Sequence, residues 1–185
     1  MEKKPNDRIL AREVALKDSV SANLEGRALL IKGPKGEIKR EFHRDISIKI
    51  DNGSIKLLAT KYDQRNKKII GSVESHIKNM VQGVVEPFKY KLKICSGHFP
   101  MNVAVTSGRL IIKNFLGEKV PREVVIPKES KVVVDGDHIN VESVDKEVAG
   151  QVSAKIEQIT RRPGFDTRVF QDGIYLIEKT GKESQ

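Results

Sequence analysis

Cys95 and His98, three positions apart in Cys95-Ser96-Gly97-His98, are the residues of this chain best suited by type to bond-making chemistry. The spacing is that of half a zinc site. A structural zinc takes four ligands, however, and the other three histidines, His43, His76 and His138, are scattered along the chain. Spacing also supplies no third group to orient a Cys/His nucleophile pair. Cys95 therefore reads as a small buried residue ending a strand, the usual setting of a free cysteine. Gly33-Pro34-Lys35-Gly36 lacks the eight-residue phosphate-loop spacing with its terminal Lys and Ser/Thr. It has the Gly-x-x-Gly form of a nucleotide-clamping loop, but it lies between two strands, so it reads as a glycine-rich hairpin with an exposed Lys. No carboxylate pair or Gly-x-Ser-x-Gly element stands out. The expectation is a protein that is not an enzyme and has no metal, cofactor or small-molecule substrate.

The basic residues carry more information. Lys89, Lys91 and Lys93 alternate with Phe88, Tyr90, Leu92 and Ile94, the pattern of a strand with one core face and one row of ammonium groups. Such a row by itself is the solvated side of an amphipathic strand. Arg161-Arg162 follows a helical pattern, where a cation can answer the helix C-terminus. Arg65, Lys67 and Lys68 begin a helical pattern, where the dipole disfavours cations, so phosphate contact explains them better. The chain has 185 residues and a formal net charge of +9. Dividing at Pro87 gives 18 Lys+Arg against 12 Asp+Glu in residues 1–86 and 16 against 13 in 87–185. The excess is spread over both halves, which points to a polyanionic partner, nucleic acid or an anionic membrane. No apolar run approaches the ~18 residues that span a bilayer, no signal peptide opens the chain, and the single cysteine fits a reducing compartment, so a cytoplasmic protein is expected. Without an aromatic RNP-type motif, backbone and shape recognition of folded RNA is the reading that remains.

The elements that must position these groups alternate in period. Leu29-Leu30-Ile31 reads as a buried strand, and Ile46, Ile48 and Ile50 as the core face of a half-buried one. Asp51-Asn52-Gly53-Ser54 should turn that strand back into Ile55-Lys56-Leu57-Leu58. Ile69, Ile70, Val73, Ile77, Met80, Val81 and Val84 then form the stripe of an amphipathic helix, ended by Pro87. After the Phe88 strand come Leu110-Ile111-Ile112, Val124-Val125-Ile126, Val132-Val133-Val134 and Ile139-Asn140-Val141. Val148, Val152, Ile156 and Ile159 mark a second helix, and Ile174-Tyr175-Leu176-Ile177 a last strand. Residues 1–19 are weakly patterned, and the first few are expected to be disordered.

The order repeats. Lys67, Gly71, Val73 and Ile77 return as Lys146, Gly150, Val152 and Ile156, 79 positions later. Lys32-Gly33-Pro34-Lys35-Gly36-Glu37 returns as Lys113-Asn114-Phe115-Leu116-Gly117-Glu118 at a shift of 81. Two matches in order argue for duplication of an α+β unit, with domains at 1–86 and 87–185, each a mainly antiparallel sheet packed with one main helix.

Arg168-Val169-Phe170-Gln171-Asp172-Gly173-Ile174-Tyr175, with Lys179 beyond, resembles the C-terminal signature of the large ribosomal subunit protein six family in its archaeal and eukaryotic branch. Three further segments agree in order: Ile31 to Gly36, Ser96-Gly97-His98-Phe99-Pro100-Met101, and Asn114 to Lys119. Together with the helix from His76 to Val84, the likeness covers roughly residues 20–180. It implies two tandem α+β domains and a structural protein of the large subunit. Its partners would be 23S-type rRNA, bound mainly by the second domain beside the sarcin–ricin loop, neighbouring ribosomal proteins, and translational GTPases docking nearby. The site residues it implies are Arg161, Arg162, Arg168, Gly173, Tyr175 and Lys179, then His98, Asn114 and Lys119, beside the row Lys89, Lys91 and Lys93. Arg and Lys would neutralise phosphates, and Gly173 would admit close backbone approach to RNA. Pro163 to Thr167 stands where many relatives carry several basic residues, and Ala15-Leu16-Lys17-Asp18 where the family often starts its first strand with Ile-Pro. The alternative reading is a free-standing basic interaction module away from the ribosome.

Overall fold

In the computed structural model, which describes residues 10–51, 53–166, 168–180 and 182–183, β-branched and leucine-rich runs pair into antiparallel sheets and each apolar helical stripe closes one core. The chain separates at Glu86/Pro87 into two compact units. In the first, β1 (Ala11–Ala15), β2 (Ser21–Glu25), β3 (Ala28–Gly33), β4 (Gly36–Glu41), β5 (Ile46–Asp51) and β6 (Ser54–Ala59) precede α1 (Gln64–Gly83). Two three-stranded sheets result, ordered β1-β6-β5 and β2-β3-β4.

The second unit repeats the plan with β7 (Phe88–Cys95), β8 (Asn102–Thr106), β9 (Arg109–Lys113), β10 (Arg122–Val125), β11 (Ser130–Asp135), β12 (His138–Ser143) and α2 (Lys146–Ile159). Its sheets run β10-β9-β8 and β11-β12-β7, and the latter is extended beyond β7 by β13 (Gly173–Lys179) and β14 (Lys182–Glu183). The edge strand of one unit has thereby become a central strand in the other. The α+β duplication read from the sequence is present, although each unit holds two sheets where one was expected. β1, β2 and β8 escaped the sequence reading because β1 buries only Val14, and β2 and β8 bury no residue fully. β5 turns back into β6 as expected, with Asp51 opposite Ser54, although Asn52 itself lies outside the described residues, as do the first few residues, which were expected to be disordered.

Local chemistry sets the helix starts. Asp63 Oδ1 accepts from Asn66 N at 2.6 Å and caps α1, and Asp145 accepts from Glu147 N at 2.8 Å to cap α2. Arg65, Lys67 and Lys68 sit exposed within the first five residues of α1. Ile70, Val73, Ile77, Met80 and Val81 face the first core, while Ile69 is half-buried. In the second unit α2 presses Ala149, Val152 and Ile156 against Leu92, Ile139, Val141 and Ile174. Each fully buried aliphatic side chain contributes about 1.5–3 kcal/mol, so this interdigitated layer is the main source of that unit's stability.

The Gly33-Pro34-Lys35-Gly36 turn has a structural role. Lys35 N donates to Val84 O at 3.0 Å, and a Cβ on Gly33 would stand 2.7 Å from that same oxygen. The glycine is what lets the hairpin seat on the C-terminal end of α1, with Lys35 left exposed. Gly33→Ala should therefore destabilise the first unit by about 1–3 kcal/mol through overpacking against backbone that cannot move aside cheaply. Urea denaturation followed by circular dichroism measures the loss, and an unchanged midpoint would remove this explanation of the motif.

Candidate nucleic-acid interface

Because β7 and β13 are antiparallel neighbours with Cys95 opposite Gly173, the residues just after β7 and just before β13 must meet. They are joined by Asp172, whose side chain is 1% exposed. Its Oδ1 accepts from Gly97 N at 2.6 Å and His98 N at 3.0 Å, and its Oδ2 lies 2.5 Å from His98 Nδ1. Burial by itself pushes the Asp172 carboxyl up. The bonds from the His98 backbone and ring and from Gly97 N outweigh that and hold the carboxyl below its usual range. Neither Asp172 nor this clamp was singled out from sequence, though an Asp in the turn before a strand is a recurrent acceptor of loop N–H groups.

From His98 a run of rings extends across the end of the unit. The imidazole lies 5.0 Å from the Phe170 ring, Phe170 meets Phe165 edge-on at 4.9 Å, and the Arg162 guanidinium stands 4.3 Å over Phe165. Arg162 also lies 3.6 Å from Glu118, which Arg122 grips through Nε and Nη2, both at 2.7 Å. Arg122 in turn covers the buried Phe115 ring at 4.3 Å and donates to Ile159 O, answering an open carbonyl at the end of α2. The bonds from Arg122, with the charges of Arg122 and Arg162, hold Glu118 below the ordinary carboxylate range against the opposing effect of burial. Asn114, in the left-handed region at φ 60, donates from Nδ2 to Pro100 O at 3.1 Å. Segments 96–101, 114–122, 160–166 and 168–175 thus converge on one end of the second unit, with Lys119 exposed among them.

The expected site residues are distributed unevenly about this centre. Arg161 is exposed and makes no ion pair among the described residues. Arg168 is 89% exposed and chelates Asp166 at 2.9 and 3.1 Å, an arrangement that keeps the Asp166 carboxyl low. Tyr175 donates from its hydroxyl to Gln171 O at 3.1 Å, and burial followed by the nearby Cys95, Asp172 and Glu157 groups raises its pKa. A Cβ on Gly173 would stand 3.3 Å from the Tyr175 ring, so the missing side chain makes room for that ring. Lys179 is exposed at the far end of β13. On β7, Lys89 lies opposite Glu142, Lys91 lies between Asn140 and Glu178, and Lys93 between His138 and Tyr175. Two rungs of the lysine row therefore face carboxylates, and only Lys93 adjoins the converged segments.

Cys95 is half-buried on β7, not the fully buried residue expected, because the sheet end where it stands faces Gly173 and the turn beyond. Among the described residues no three His, Cys, Asp or Glu side chains could hold a metal together. What the convergence does form is a cavity of about 520 Å³. Phe115, Ile174 and Thr160 are its buried base, while Phe165, Phe170 and Tyr175 give it aromatic walls. Phe165, Phe170 and Tyr175 recur at intervals of five, a signal present in the sequence but unlike the period of a strand or a single helix face.

Asp172→Asn should lower the stability of the second unit by about 1.5–3 kcal/mol at neutral pH, since it weakens bonds to a charged acceptor. A carboxyl depressed in the folded state contributes stability that is full above its unfolded pKa, near 4, and is lost as pH falls through the folded value. The decline of wild-type stability below about pH 4 should accordingly be shallower in Asp172→Asn, read by urea midpoints across pH 2–7; identical acid slopes would overturn the clamp.

The two halves of this geometry have counterparts elsewhere. Residues 17–86 and again residues 99–173 match the family model of ribosomal protein L6. The chain is similar to large ribosomal subunit protein uL6 of Methanothrix thermoacetophila, 42% identical over 171 residues that cover 92% of this chain and 97% of the relative. It is likewise similar to the uL6 proteins of Picrophilus torridus, 43% identical with 90% and 93% covered, and of Methanococcus vannielii, 39% identical with 94% and 96% covered. On the doubled match and this identity over nearly its full length, the chain belongs to the ribosomal protein L6 family.

Proposed function

We propose that this protein is a structural constituent of the large ribosomal subunit that binds 23S-type rRNA through the converged end of its second unit, beside the sarcin–ricin loop and the site where translational GTPases dock. Membership of a family of structural ribosomal proteins makes it no enzyme. Relatives of nearly equal length carry the name large ribosomal subunit protein, which supports assembly with large-subunit rRNA and neighbouring ribosomal proteins in the cytoplasm. The observation that carries the reading is the meeting of three separate signature segments at one end of the unit, where Arg161, Arg162, Arg168, His98 and Lys119 are presented together.

Phosphates would be met by cations already held in place. Arg162 is oriented by Phe165 and Glu118, so little side-chain freedom is lost on binding. Arg168 stands in an exposed pair with Asp166, worth little in water, and can exchange that carboxylate for a phosphate. Arg161 needs no exchange. Each phosphate neutralised releases counterions, so binding should weaken steeply with salt.

Two measurements test the proposal. The tagged protein should sediment with the large subunit through a sucrose gradient at high salt, and migration near the top would favour a free-standing interaction module. Replacing Arg161, Arg162 and Arg168 by Gln should weaken binding to deproteinised large-subunit rRNA and reduce the slope of log K against log salt by about 2–3; an unchanged affinity and slope would overturn the site.

A further inference from the structure

We propose that the cavity between α2 and the signature segment accepts one unstacked nucleobase of the bound RNA, with Arg161 meeting the phosphate beside it. This rests on the RNA-binding reading above and adds a base contact to what was otherwise recognition of backbone and shape. Folding leaves large aromatic surface in view here: Phe165 is 37% and Tyr175 43% exposed at the cavity walls. Exposed aromatic surface around a concavity of about 520 Å³ is the material of a ligand site, because packing of this unit does not require it.

The polar groups at the cavity select the occupant. Arg161 and Arg162 border the aromatic walls, so the cavity suits a planar apolar face attached to an anion. A base with its flanking phosphate has that composition, and bases unstacked in RNA loops and bulges are recognised by aromatic side chains in this way. Glu157 also lines the cavity, half-buried and without an ion pair among the described residues. As a carboxylate it only accepts hydrogen bonds, and it would repel a phosphate at that position. It therefore favours a base edge that donates, an amino group with or without an adjacent ring N–H, pointing toward α2. Thr160 takes no part, since its hydroxyl already donates to Glu157 O at 2.9 Å and accepts from Ile174 N at 3.0 Å.

The chain contains no Trp, so Phe165→Trp places a single fluorophore at the cavity wall of the full-length protein. Titration with deproteinised large-subunit rRNA should quench its emission at least about twofold, as stacking on a base does. Phe165→Ala, at a partly exposed position, should weaken rRNA binding about 5- to 100-fold with the salt slope unchanged, whereas Arg161→Gln should lower the slope by about one. Phe165→Leu, which keeps the apolar volume without the ring, should behave like Phe165→Ala. If rRNA binds but the emission does not change and Phe165→Ala binds like wild type, base insertion is wrong while RNA binding stands. If wild-type protein binds no rRNA, both readings fall. Quenching by guanosine monophosphate alone, undiminished by saturating rRNA, would reassign the cavity to a free nucleotide and overturn the proposal.

Discussion

A single buried carboxylate organises the end of the second unit. Asp172 lies one residue before β13 and reaches across to two backbone N–H groups and the imidazole of the segment that follows β7. A carboxylate so deeply removed from water is tolerated only when its oxygens are bonded, and these bonds come from residues more than 70 positions away. The position of His98, and through it the stacking of Phe170 and Phe165, depends on that requirement being met. The second buttress is Arg122, which joins the end of α2 to the 114–118 turn through Ile159 O, Glu118 and the face of Phe115.

Duplication explains why the two units share a plan and differ at this end. Both pack two antiparallel sheets with one helix, of three strands each in the first unit and of three and five strands in the second. In the first unit the glycine turn is a tight hairpin held against α1 by the close approach of Gly33 to Val84. In the second, the corresponding stretch opens into a turn in which Asn114 and Leu116 take positive φ values of 60 and 47. Leu116 accepts a conformation that costs a non-glycine residue about 1–2 kcal/mol, and the turn brings Phe115 into the core and Glu118 up to Arg122 and Arg162. β13, which like β14 has no counterpart among the described strands of the first unit, pairs alongside β7 and carries the signature into place.

The row of lysines on β7 illustrates how a sheet changes the meaning of a pattern. Alternation along one strand says which side chains share a face, and Lys89, Lys91 and Lys93 do so. What that face contributes electrostatically depends on the strands beside it. Glu142 and Glu178 stand opposite Lys89 and Lys91, so the face is a mosaic of both signs, and only the Lys93 end continues into the cationic end of the unit.

Much of the architecture was legible in the residues alone, because periodicity is local. The stripes of α1 and α2, the alternation of β5 and β7, and the repeated order of elements required no knowledge of contacts, and neither did the signature carried by segments 96–101, 114–119 and 168–175. Strands that bury one residue or none, such as β1 and β8, were not legible, since their pairing is imposed by neighbours and not by their own pattern. The sequence by itself determined the duplicated α+β plan, the positive balance and the family. Tertiary structure alone decided that Asp172 and three aromatic rings five residues apart would line one cavity, with Arg122 bracing the turn beside it. Those contacts join residues distant in sequence, and only the register of β7 against β13 and the docking of α2 bring them within bonding distance.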